Sequence, residues 1–121
     1  MKNIFLIIAV TFNAILINCS IAAIKGEKLD NTKLIDGEYE GSYSKFPNSA
    51  RVKIIITDGK ISNIIFIKHF ASPIGYKAES VIPKKIIQNQ STDVDAVSGA
   101  TNSSRVIMNA VQNAVKKAYK K

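Results

Sequence analysis

Four hydroxyl side chains, Ser98, Thr101, Ser103 and Ser104, fall close together around Gly99-Ala100, with Asn102 among them, and a strongly periodic helical run follows. Hydroxyl donors, a small Gly-Ala pair and a helix start together suit a phosphate. The first amides of a helix have no intrahelical acceptor, and the positive end of the helix dipole favours an anion. On this reading the amides of Asn102, Ser103 and Ser104 point at the anion. Ser98 or Ser103 adds a side-chain donor, and Gly99 and Ala100 let the backbone turn without obstructing the approach. The same residue types also serve ordinary turns and N-caps, so the cluster by itself fits a purely structural role as well.

The cluster closes a longer pattern, Asp95-Ala96-Val97-Ser98-Gly99-Ala100-Thr101. This pattern resembles the flavinylation motif of the FMN-binding domain family, Asp-x-x-Ser/Thr-Gly-Ala-Thr; Ala96 stands where that family often has Gly. Further segments resemble the family in the same order. They are Asp36-Gly37-Glu38-Tyr39-Glu40-Gly41, the turn Asp58-Gly59-Lys60-Ile61 between two apolar runs, Ser72-Pro73-Ile74-Gly75, and residues 83–95 with Gln90-Ser91 before Asp95. The resemblance implies FMN as cofactor, esterified through its phosphate to Thr101. It implies a Mg-dependent flavin transferase that uses FAD as FMN donor and for which Asp95 forms part of the recognised motif. It also implies partner redox proteins between which the flavin carries electrons. Two alternatives stay open: a small flavoprotein reductase that binds FMN noncovalently, and a basic surface protein in which the motif is inert.

Composition narrows the chemistry independently. One cysteine and one histidine exclude an internal disulfide and the usual ligand sets of haem, iron–sulfur and structural zinc, so no metal site is expected. No Gly-x-Gly-x-x-Gly dinucleotide fingerprint occurs. The net charge is +8, but the lysines are spread along the chain and no nucleic-acid motif accompanies them, so nucleic acid is not an expected partner. A positive field would instead help to hold an anionic flavin or steer an acidic redox partner.

Residues 1–23 read as an export leader, with Lys2 ahead of an apolar stretch broken only by Thr11 and Asn13. Leu16-Ile17-Asn18-Cys19 resembles a lipobox, with Asn18 in place of the usual small residue; Cys19 is then the lipidated residue. Cleavage after Ser20-Ile21-Ala22 and an uncleaved anchor are the alternatives. Each places the rest of the chain outside the cytoplasm, as a membrane-anchored lipoprotein or a periplasmic or secreted protein. Residues 24–34 are expected to be a tether and 35–121 the FMN-binding domain.

The elements that must position the motif follow from periodicity. Residues 38–44 and 51–57 alternate and read as half-buried strands. Asp58-Gly59 is a hairpin turn, and the apolar run after it predicts a strand covered on both faces. Pro83 predicts a short helix over 84–90 with proline in its first turn. Residues 94–97 are a candidate short strand delivering the motif. Ile107, Val111 and Val115, with Ala110, Ala114 and Ala118, make an apolar helical face. The expected fold is α+β: a small antiparallel sheet with packed helices, the C-terminal helix following the flavinylation loop. Phe70, Ile74 and Tyr76 are candidates either for a flavin-ring surface or for the core. His69, at a strand end, either approaches the flavin or is a polar surface group.

Overall fold

The computed structural model describes residues 26–120. The leader and Cys19 lie outside the described residues. Among the described residues no helix is long and apolar enough to cross a membrane, and no cluster of side chains could hold a metal ion.

Three strands form an antiparallel meander in the order β1 (Gly37–Lys45), β2 (Asn48–Thr57), β3 (Lys60–Phe70). Phe46-Pro47 is the whole β1–β2 turn, so the strands run further than the sequence expectation of a loop over residues 45–49. Asp58-Gly59 turns β2 into β3 with both residues at positive φ, as a two-residue hairpin needs. Asp36 clamps this turn: its carboxylate accepts the amides of Gly59 (2.9 Å) and Asp58 (3.0 Å).

Two helices cover one face of the sheet: α1 (Lys77–Asn89) and α2 (Thr101–Ala118). The alternation of β2 sends Ala50, Val52, Ile54 and Ile56 inward, where they meet the expected Ile107, Val111 and Val115 row and the alanine row of α2. Gly41 makes the closest approach possible. A Cβ there would collide with the Ala110 carbonyl and the Ala114 amide, so β1 carries no side chain where α2 lies across it.

β3 departs from expectation. Its continuous apolar run is covered on one face only; Ile61 and Ile64 are buried while Ile65 and Ile67 are exposed. Register shifts opposite Arg51/Val52 and Ile55/Ile56 insert extra β3 residues. Strict alternation is broken, and Ile61, Ile64, Phe66 and His69 turn toward the helices at spacings of three, two and three. A continuous run is thus what two bulges in a half-covered strand look like in sequence.

Other boundaries shift too. α1 begins well before Pro83, which is buried inside it rather than in its first turn. Packing of Ala78, Ile82 and Ile86 on the core holds a helix that proline alone would interrupt. α1 ends at Gln90, whose left-handed backbone is tied by its side chain to both backbone groups of Ile61 (2.9 Å each). Residues 94–97 form no strand; they are loop. Residues 26–34, expected as a tether, are docked instead. Leu29 and Leu34 are buried, the Leu29 amide donates to the Gln90 carbonyl, and the Ile35 amide donates to the Ala118 carbonyl.

Candidate functional site

The motif is a turn feeding directly into a helix. The Ala100 amide donates to the Val97 carbonyl (2.9 Å), with Ser98 and Gly99 between them. Gly99 has φ +80°, the value required at the third position of a type II turn. A Cβ at Gly99 would meet only Ile74 Cγ2, at 3.8 Å, so the backbone conformation rather than crowding selects glycine.

Helix α2 starts at Thr101, with Ala100 at the cap position. Alanine offers no capping oxygen, and no side chain caps this end. The amides of Thr101, Asn102 and Ser103 therefore have no carbonyl a turn behind them within the helix. This corrects the expectation for Ser104 by one residue, since its amide already donates to the Ala100 carbonyl (2.9 Å). Its hydroxyl is also committed, donating to the Ala100 carbonyl (2.7 Å) and accepting the Val97 amide (3.0 Å). Ser104 is wholly buried and builds the loop.

The uncapped helix end opens on a cavity of about 310 Å³. Gly99, Ala100, Thr101, Asn102 and Ser103 line one side of it. Ser72 and Gly75 come from the β3–α1 loop, Pro47 from the β1–β2 turn and Asn48 from the start of β2. Thr101 and Asn102 are exposed, whereas Ser103 is buried in the wall. Ser98 is exposed on the turn and is not among the lining residues. Asp95 is exposed, and its backbone carbonyl accepts a bond from Lys85 Nζ (3.2 Å). A larger hollow of about 390 Å³, bounded by Arg51 and Lys68, shares no residue with the motif.

The apolar candidates are not core, and none of them is among the residues lining the cavity. Phe70 is 57% and Ile74 55% exposed, with Tyr76 partly so. His69 is not the polar surface group of one of its two readings. Its side chain is only 1% exposed, bonded through Nδ1 to Glu79 Oε1 (2.8 Å) and through Nε2 to Ser103 Oγ (3.1 Å). Sequence reasoning missed the β1–β2 turn, where Pro47 joins the cavity and Phe46 stands 97% exposed. An aromatic residue before proline in a two-residue turn is the only sequence signal for it. It also missed Glu79, whose link to His69 depends on how the chain folds back. Ser72 and Gly75 lay in a recognised segment, but only the fold gives them a place beside Thr101.

An uncharacterized protein of Treponema pallidum (strain Nichols) is 32% identical over 89 residues, 73% of this chain and 25% of that protein; the chain thus spans about a quarter of that relative's length. The sequence model described as FMN-binding domain matches residues 48–116, from the β1–β2 turn through the motif and most of α2. With more than half of the chain covered by that match, this protein belongs to the FMN-binding domain family, and FMN is its cofactor.

Proposed function

We propose that this protein is an extracytoplasmic electron carrier whose FMN is joined through its phosphate to Thr101. The observation that carries the reading is the uncapped start of α2, where an exposed Thr101 lines a 310 Å³ cavity. The fit with the phosphate end of FMN rests on donors already present. The Thr101, Asn102 and Ser103 amides and the helix dipole favour the single charge left on a phosphodiester. Gly99 and Ala100 keep the approach free of bulky side chains. Exposed Phe46, Ile74 and Tyr76, which adjoin the lining residues Pro47 and Gly75 in the chain, offer apolar surface for the flavin ring.

FMN when bound supplies one- and two-electron redox chemistry. The residues of this chain would hold its phosphate end at the start of α2 and leave the rest accessible to partner redox proteins. Attachment by a transferase that reads Asp95 and its neighbours would keep the flavin at a local concentration set by the chain rather than by the surroundings. That matters outside the membrane, where a free cofactor is lost by dilution. The leader over residues 1–23 supports export, with Cys19 as the lipidated residue.

The test is intact mass after co-expression with a flavin transferase. One FMN is expected on the protein and none on Thr101→Ala, whose fold should be unchanged. Transfer of the modification to Ser98 or Ser103 in that variant would overturn the assignment. For export, Cys19→Ala should move the protein from the membrane to a soluble fraction. A wild-type protein found in the cytoplasm would refute that part.

A further inference from the structure

His69 is the only histidine in the chain, and it is placed by a bulge. His69 pairs with Ala50 and Phe66 with Val52, so one extra residue of β3 separates two positions that both face the helices. Without that insertion His69 would share the exposed face with Ile65 and Ile67. As built, its ring stacks on Phe66 (centroids 5.4 Å apart) and meets the edge of Tyr76 (5.1 Å). The Tyr76 hydroxyl donates to the His69 carbonyl (3.3 Å). Both ring nitrogens are engaged, one by Glu79 of α1 and the other by Ser103 of α2. Ser103 is at once the partner of His69 and part of the cavity wall beside Thr101. A Cβ on Gly75 would press to 3.1 Å from Ser103 Cβ, so the β3–α1 loop packs tightly against this serine.

We propose that Glu79, His69 and Ser103 form a proton-linked clamp on the phosphate end of the flavin, with Glu79 and His69 as positioning residues for the Ser103 hydroxyl. This rests on the reading that FMN is attached at Thr101. The donor and acceptor count gives the mechanism. With neutral His69, the Glu79 carboxylate selects the Nδ1–H tautomer, and Nε2 must accept the Ser103 proton. Ser103 then offers the cavity only lone pairs. When His69 takes a proton from solvent, both nitrogens donate. Ser103 Oγ becomes an acceptor toward the ring, and its O–H is released to donate to a phosphate oxygen. An anion in the cavity thus favours protonated His69 twice over, through charge and through the freed hydroxyl. Of the groups that meet the ring from other elements (Glu79 and Tyr76 at α1, Ser103 of α2, Ala50 opposite on β2), Glu79 alone carries charge, and it acts in the same direction.

The single histidine makes the test direct. Imidazole NMR shifts of tag-free protein are followed against pH for the flavinylated protein, for Thr101→Ala and for flavinylated Ser103→Ala. The midpoint should be about one pH unit higher in the flavinylated protein than in Thr101→Ala, and this difference should shrink in Ser103→Ala. Equal midpoints with FMN demonstrably on Thr101 would overturn the clamp and leave the attachment standing. If mass shows no FMN on Thr101, the attachment reading fails. The clamp is then judged on unmodified protein, where a higher midpoint in inorganic phosphate than in chloride at equal ionic strength supports it and equal midpoints overturn it.

Discussion

Ser104→Ala should destabilise the domain although it removes one oxygen from a helix. The hydroxyl is wholly buried, donates to the Ala100 carbonyl at 2.7 Å and accepts the Val97 amide at 3.0 Å. The carbonyl survives the change because the Ser104 amide also reaches it. The Val97 amide has no such reserve. Leaving a donor of this kind without a partner costs about 1–3 kcal/mol. Alanine's better helix propensity returns at most about 0.5 kcal/mol. The net loss is about 1–2 kcal/mol, and for a domain of this size each kcal/mol lowers Tm by about 4–8 °C. Thermal unfolding by circular dichroism, with Thr101→Ala alongside, is the assay. The exposed Thr101 should change stability by no more than about 0.5 kcal/mol. Should Ser104→Ala melt together with Thr101→Ala and wild type, the hydroxyl does not hold the loop and the division of roles among these serines fails.

Gly99→Ala should cost about 1–2 kcal/mol because of its positive φ rather than a clash, and it should slow flavinylation by opening the turn. Gly99→Asn, which tolerates that backbone region, should lie between alanine and wild type; melts indistinguishable from wild type for both would refute the strain argument. At Asp36, the Gly59 amide and then the Asp58 amide hold the carboxyl below its ordinary value. A depressed carboxyl gives stability that is present above the unfolded-state value, about 3.9, and lost as pH falls through the lower native one. The stability gap between wild type and Asp36→Asn should therefore narrow in acid, and a gap that stays constant with pH would show that the carboxylate charge is not what clamps the turn.

The parts of the fold legible in sequence were those with one dominant local cause. Asp58-Gly59 dictates its own hairpin, and the rows Ile107, Val111, Val115 and Ala110, Ala114, Ala118 dictate a helix face. The misread parts depend on partners distant in sequence. Pro83 looks like a helix start unless Ile82 and Ile86 are known to bury against the sheet. The polar stretch before Leu34 looks like a tether until the Gln90 carbonyl and the Ala118 carbonyl receive its amides. The β3 run looks doubly buried because a bulge has no local signature there; its residues are isoleucines and a phenylalanine on either face. At the site, the motif gave the turn and the helix start, while the alanine cap moved the free amides one residue earlier than hydroxyl spacing indicates.

The structure also separates four hydroxyls that look equivalent in sequence. Ser104 has both its donor and its acceptor capacity spent inside the loop. Ser103 is buried and committed to His69. Ser98 is exposed, but it precedes the turn's glycine, outside the field of the helix end and outside the cavity wall. Thr101 alone combines exposure, a place in the cavity wall and a position in the first turn of α2. A hydroxyl that is to be joined to a phosphate must meet an incoming transferase, and the product must then rest where an anion is favoured. On the proposed attachment, access would favour Ser98 and Thr101, and the helix dipole and the unpartnered amides would favour Thr101 of that pair. The absence of a capping side chain at Ala100 belongs to the same logic. A serine or aspartate there would stabilise the empty helix end by about 1 kcal/mol and would compete with the phosphate for the same amides. If the proposed phosphate takes the place of that cap, part of the stability of α2 would depend on its being there.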